Sequence, residues 1–194
     1  MEKTGGKRLN FLATYVLSRN YGNYTGLFDS NINRGVPNSL IYAAEGFRNA
    51  TGLLPNDRAH ILKFSGSYRS DWGLTFGTSF SWQSGTPLNE FGGLLYASPT
   101  FLRQRGTVGR TPSVWDLNLR VVYDVNRLSQ ISWKPRLILD VFHVARQRKP
   151  VLFDEFHYFN VDENGNQINP NPLYGQATRF QPPMAVRLGL EVGF

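Results

Sequence analysis

The 194 residues include no cysteine, so neither a disulfide framework nor a thiolate metal site is available. Charged residues are scarce at 18%, which, with many aromatics and glycines, disfavours a charged coiled coil. Few charges combined with 14% aromatics and 19 glycines also argue against intrinsic disorder. No run approaches the length of about 18 apolar residues that a membrane-crossing helix needs. A β-barrel strand carries its apolar residues in alternation and is not excluded by this. The opening MEKTGGKRLN lacks the apolar core of a signal peptide. An exported form would therefore have lost its signal or begin elsewhere.

Acidic residues are also few: 14 against 21 basic ones, a net charge of +7 and a pI near 9.9. That balance fits nucleic acid, an anionic membrane surface, or a basic surface without a partner.

What is present is period-two alternation in long runs, which predicts six strands. They cover 8–19, 59–69, 73–83, 114–125, 136–144 and 184–194. The fourth is representative: Trp115, Leu117, Leu119, Val121 and Tyr123 take one face, while Asp116, Asn118, Arg120 and Asp124 take the other. The polar set across the strands includes Lys63, Arg69, Asp116, Arg120, Asp140, Arg187 and Glu191, which are candidates to line the lumen of a barrel. Alternation alone also fits a soluble sandwich. Length separates the two readings. Soluble strands usually run about 5–6 residues. A strand of about 11 residues spans ~36 Å, and a tilt of ~45° projects that to the ~25 Å apolar band of an outer-membrane barrel. Trp72, Trp82, Trp115 and Tyr123 fall near strand ends, where interfacial aromatic girdles sit.

The links alternate as well. Short connections follow the second and fourth strands, at 70–72 and 126–135, whereas 20–58, 84–112 and 145–183 are long. Long loops on one side and short turns on the other are the barrel pattern, with both chain ends at the periplasm. The long loops are rich in Gly, Asn, Pro and Tyr, the residues of turns.

Two registers can be predicted. Paired residues share a face, so the tight turn is expected to hold Ser70-Asp71-Trp72, pairing Arg69 with Gly73 and setting Gly66 opposite Phe76. Centring the 126–135 link places Arg120 opposite Asp140.

The chain ends Arg187-Leu188-Gly189-Leu190-Glu191-Val192-Gly193-Phe194. A polar residue, a glycine two later, Val192 and a terminal aromatic resemble the assembly signal of outer-membrane barrels, formed here by Arg187, Gly189, Val192 and Phe194. The segments ATYVLSRNYGNYTGL, LLPNDRAHILKFSGSY, WGLTFGTSFSWQSGTPL, GRTPSVWDLNLR, LILDVFHVARQRKP and YGQATRFQPPMAVRLGLEVGF extend the likeness. Together they resemble the C-terminal barrel of TonB-dependent receptors, in the subgroup with a carboxypeptidase-regulatory-like N-terminal domain. One departure is His143, where that family usually has Asn.

The resemblance implies an all-β fold: an antiparallel meander of about six long strands, forming part of a transmembrane outer-membrane β-barrel with long extracellular loops. Such barrels have about 22 strands, and about eight is the small end for closure. Residues 1–194 are thus expected to be a C-terminal barrel segment without plug domain or signal peptide. The full protein would take up a substrate across the outer membrane of a Gram-negative bacterium with energy relayed by TonB. Its implied partners are outer-membrane lipid, the barrel-assembly machinery, the rest of the barrel and plug, and TonB through the missing N-terminal part.

Signals for an enzyme or cofactor are weak, and neither is expected. None of His60, His143 and His157 stands at metal-ligand spacing from another ligand in the sequence. Asp162-Glu163-Asn164-Gly165-Asn166 lacks the EF-hand spacing and reads as a hairpin turn at Asn164-Gly165. The basic clusters Arg103, Arg105 and Arg110, and Arg146, Arg148 and Lys149, fit lipid phosphates or no ligand better than nucleic acid, because the aromatics take the face opposite Lys63, Arg69 and Arg120. Two other readings stand beside the receptor: a soluble β-rich carbohydrate- or ligand-binding module, and a small self-associating porin-like barrel.

Overall fold

The computed structural model describes residues 2–5, 8–24, 28–29, 34–35, 48–95, 98–125 and 133–193, and they are all-β. Seven strands form one antiparallel sheet: β1 Glu2–Gly5, β2 Leu9–Leu17, β3 His60–Arg69, β4 Leu74–Gln83, β5 Val114–Asp124, β6 Pro135–Phe142 and β7 Ala185–Val192. The six long strands match the six read from the alternation to within a residue or two. The short β1 against β2 was not foreseen. Each strand neighbours the next in the chain, so the sheet is a meander, and it does not close. It is the wall of a partial barrel.

Pairing carries each face across the whole sheet. One row runs Leu9, Tyr68, Phe76, Val121, Leu139 and Leu188. The next apolar row runs Phe11, Gly66, Thr78, Leu119, Val141 and Val186. Among the described residues nothing covers this apolar face: Phe76, Leu119 and Leu188 from these rows, and Phe64 from the adjoining one, are 45%, 41%, 80% and 36% exposed. In a sandwich they would be buried under a second sheet.

The β3–β4 turn corrects one expectation. The hairpin does have a three-residue turn, but it is Asp71-Trp72-Gly73, one residue later than expected, and Arg69 pairs with Thr75. Ser70 closes it, its amide bonded to the Leu74 carbonyl at 2.8 Å and its hydroxyl accepting from the Leu74 amide at 3.2 Å. The reason is Gly73, whose φ of +83° takes the left-handed place at the end of such a loop. The shift puts Gly66 opposite Thr78 instead of Phe76, and the ring of Phe64 covers its bare backbone. The β5–β6 register is the expected one, with Arg120 opposite Asp140.

All three long connections leave the same end of the sheet, and there they fold into a layer of short ribbons. Tyr21–Gly22 pairs with Gly52–Leu53, Pro87–Leu88 with Gly109–Arg110, and Phe91–Leu95 with Ser98–Phe101. In the last loop Pro150–Phe153 pairs with Ala177–Phe180, and Tyr158–Val161 with Gln167–Pro170. Phe91 bridges to Phe156, and Ala50, Phe91, Phe101 and Phe156 form a small apolar core inside this layer. Only the last of these ribbons, closed by the expected turn at Asn164-Gly165, is signalled by the turn-rich composition; the others and the core are not.

Candidate functional site

The polar face of the wall is built by the same register. Asn10, Ser67, Gly77, Arg120, Asp140 and Arg187 form one row across six strands. Thr14, Lys63, Ser81 and Asp116 form a second. Arg69 lies beside Thr75, and Glu191 faces Arg136 across β6 and β7 with an ion pair at 3.5 Å. A concavity of about 480 Å³ runs over this face, lined among others by Ser65, Ser67, Ser79, Asn118 and Arg120.

Asp140 is the centre of the face. Arg120 donates to its two oxygens at 2.6 and 3.2 Å, and Arg187 donates from Nε and Nη2 at 3.0 and 2.7 Å. The two arginines cover the carboxylate, which is only 3% exposed, while their own side chains stay open. Two cations on one anion leave an excess positive charge facing the concavity. Each cross-strand pair contributes roughly 0.2–1 kcal/mol, reduced by screening at exposed guanidiniums. Gly77 stands opposite Arg120, and a Cβ added there would meet the Arg120 Cβ at 3.5 Å, an ordinary contact.

Asp116 is engaged at the loop end of the same face. It accepts from His143 Nδ1 at 2.8 Å and from Asn118 Nδ2 at 3.0 Å, and Asn118 Oδ1 accepts from the His143 amide at 3.0 Å. His143 has a φ of +54°, a left-handed position that Asn tolerates well. The residue expected there from the family resemblance suits that backbone, and His143 compensates with the Asp116 bond.

Aromatic side chains mark both ends of the apolar face. At the long-loop end Trp82 stands opposite Trp115, with His60 6.5 Å from the Trp82 ring and Tyr15 6.2 Å from His60. The Tyr15 hydroxyl meets His60 Nδ1 at 2.8 Å. At the turn end Trp72 is 79% exposed, and Tyr123 pairs with Leu74. From Leu74 to Trp82 the strand covers ~26 Å at ~3.3 Å per residue.

The loop layer gives Arg103, Arg110 and His157 carboxylate partners that sequence spacing does not reveal. Buried Asp57 binds the Arg110 guanidinium and accepts from the Asn20 amide at 2.6 Å. Arg110 also donates to the Gly85 carbonyl at 2.8 Å, and the Gly85 backbone lies so close to Thr111 that any Cβ would collide with it. Arg58 donates to the Ser84 carbonyl at 2.6 Å, and its burial lowers its pKa. Glu90 accepts from Arg103 Nε at 2.9 Å and His157 Nδ1 at 2.6 Å, and the His157 ring stacks on Tyr158 and Tyr174, each at 4.2 Å. Burial, followed by the Glu90 charge, raises the Tyr174 pKa. Two histidines therefore do meet carboxylates in space, although the sequence spacing shows neither pair. Among the described residues no group of three metal-ligating side chains converges. The Asp162 stretch is a hairpin turn: its carboxylate accepts from the Asn164 and Asn166 amides at 2.9 and 2.7 Å, with Gly165 at φ +84°.

Of the four C-terminal signal residues, Arg187, Gly189 and Val192 lie on β7, opposite Asp140, Ile138 and Pro135. Phe194 lies outside the described residues. β7 is an edge of the sheet, with pairing to β6 alone among the described residues.

No protein-family model matches the chain. No solved structure matches it. Among curated proteins, the TonB-dependent transporter Oar of Myxococcus xanthus is 37% identical over 142 residues, covering 68% of this chain. The chain spans only 13% of that relative's length. The similarity relates the chain to TonB-dependent transporters and agrees with the β-barrel wall.

Proposed function

We propose that the chain is a C-terminal segment of the barrel wall of a TonB-dependent outer-membrane transporter in a Gram-negative bacterium, of the subgroup with a carboxypeptidase-regulatory-like N-terminal domain. One observation carries this reading. An apolar face runs across the sheet with none of the described residues packed on it, aromatic residues bound it at both ends, and the opposite face carries paired charges. Hydrocarbon is the solvent that suits the first face, and water the second.

In this role Lys63, Arg69, Asp116, Arg120, Asp140, Arg187 and Glu191 face the lumen, and Trp72, Trp82, Trp115 and Tyr123 sit at the lipid–water interfaces. The loop layer is extracellular and supplies part of the substrate-facing surface. The role is transport and not catalysis. The partners are lipid, the remaining barrel and plug, and the assembly machinery, which would engage the edge of β7 through Arg187, Gly189, Val192 and Phe194 by strand addition. TonB contacts belong to other parts of the full transporter.

The test is reconstitution of the chain into vesicles whose lipids carry bromine at defined depths. Quenching of tryptophan is expected to be strongest for bromines near the headgroups. A chain that stays soluble without detergent, with its tryptophans unquenched, would instead support the soluble binding module.

A further inference from the structure

The last long loop leaves and rejoins the wall through two segments, 143–150 and 180–185, that are braced against the end of β5. Lys149 Nζ donates to the Ser113 carbonyl at 3.1 Å, Gln181 Nε2 donates to the Trp115 carbonyl at 3.0 Å, and the Gln181 amide donates to the Lys149 carbonyl at 3.0 Å. Between these braced segments lies a cleft of about 330 Å³ lined by Arg146, Arg148, Pro183 and Met184. Arg146 holds a φ of +50°, an uncommon conformation for a long side chain, and its amide donates to the His143 carbonyl at 3.0 Å. Its Nε reaches Met184 Sδ at 3.4 Å.

Both arginines are exposed, and among the described residues neither forms an ion pair. This contrasts with Arg103, Arg110, Arg120 and Arg187, which all meet carboxylates. Met184 directly precedes β7 and, by alternation, continues the exposed apolar column of Val186, Leu188 and Leu190. The cleft thus joins two unpaired guanidiniums to the top of an uncovered apolar face.

We propose that this cleft binds the phosphorylated headgroup of a membrane lipid, with Arg146 and Arg148 on the phosphate and the acyl chains running down past Met184 and Val186. An occupant with both an anion and an apolar tail fits this junction, and guanidinium forks match phosphate oxygens bidentately. This inference rests on the membrane-wall reading above.

The full chain is inserted into nanodiscs of phosphatidylcholine doped with a few per cent phosphatidic acid, and retained lipid is counted by native mass spectrometry. Insertion is scored separately by flotation with the discs. The expected result is selective retention of phosphatidic acid, weakened about tenfold by Arg146→Gln with Arg148→Gln, an effect of the size of one charge-assisted hydrogen bond. Met184→Asp, which keeps both arginines but sets a carboxylate on the cleft, is expected to weaken it similarly. Arg19→Gln with Arg48→Gln removes the same charge elsewhere and is expected to change nothing. Inorganic phosphate at millimolar concentration is expected not to displace the lipid. Failure to float refutes the wall reading. Flotation without selective retention, equal losses in both double variants, or displacement by inorganic phosphate overturns the lipid site alone.

Discussion

The wall and the loop layer solve opposite problems with the same backbone structure. In the wall, large apolar side chains such as Leu119, Leu137 and Leu188 are exposed, and a carboxylate, Asp140, is among the most buried groups. In the loop layer, a handful of apolar residues around Phe91 are buried together with Asp57, Asn89, Glu90 and Thr111. Among the described residues the wall has no interior of its own. The loops have an interior, but one held by hydrogen bonds and ion pairs more than by apolar area. The proposed membrane role resolves the contrast, since a bilayer would supply the missing apolar contacts to the wall and leave the loops in water.

The sharpest way to break the comparison is to remove Arg110. Arg110→Ala leaves the buried Asp57 carboxylate without its cation, which costs about 3 kcal/mol, the low end for a broken buried pair because Arg110 itself is partly exposed. The loss is expected to fall on the loop layer alone. Hydrogen exchange should accelerate at 85–111 and 52–57 while β3 to β6 keep their protection.

A charge on the apolar face probes the other half. Leu119→Arg is expected to cost about 2–4 kcal/mol for insertion into a bilayer, read as a lower urea midpoint for refolding into vesicles. Asn118→Arg, one residue away on the polar face, is expected to cost much less. Equal costs would show that the two faces do not see different solvents.

Smaller effects sharpen the detail. Gly73→Ala forces a side chain into φ +83° and is expected to cost about 1 kcal/mol, read as the same kind of midpoint shift. The smallest effect is in the Asp162 turn. Its carboxylate accepts from Asn164 and Asn166, chiefly from the Asn166 side chain, and these bonds lower its pKa. Its contribution is therefore present above the unfolded value of about 3.9 and is lost as pH falls through the lower folded value. Exchange protection of the Asn164 and Asn166 amides is expected to fall selectively in that acid range.

The wall was legible because its rule is local. Alternation fixes which face each residue takes, and a face once fixed propagates through pairing, which is why Arg120 could be placed opposite Asp140 from sequence alone. The tight turn was misplaced by one residue because the pattern constrains only the parity of the register. The left-handed preference of Gly73 decided the rest. Apart from the local hairpin at Asn164-Gly165, the loop layer was illegible because its contacts are distant in the chain: Asp57 meets Arg110 from 53 residues away, and Glu90 meets His157 from 67. No spacing rule links such residues. The one available signal was the density of charged and amide side chains in segments too long for simple turns. The third arm of the Asp140 cluster, Arg187, lay within reach of the same alternation, since β6 and β7 pair as regularly as β5 and β6.

The absence of cysteine makes the central claim directly measurable, because single cysteines can be introduced one at a time without background. Spin labels placed in turn at Leu117, Asn118, Leu119, Arg120, Val121 and Val122 of the vesicle-bound chain report collision with oxygen, which concentrates in lipid, and with a water-soluble nickel chelate. A membrane wall predicts period two: high oxygen access at 117, 119 and 121, and high nickel access at 118, 120 and 122. Low access to both reagents at 117, 119 and 121 would place protein over the apolar face and contradict the account.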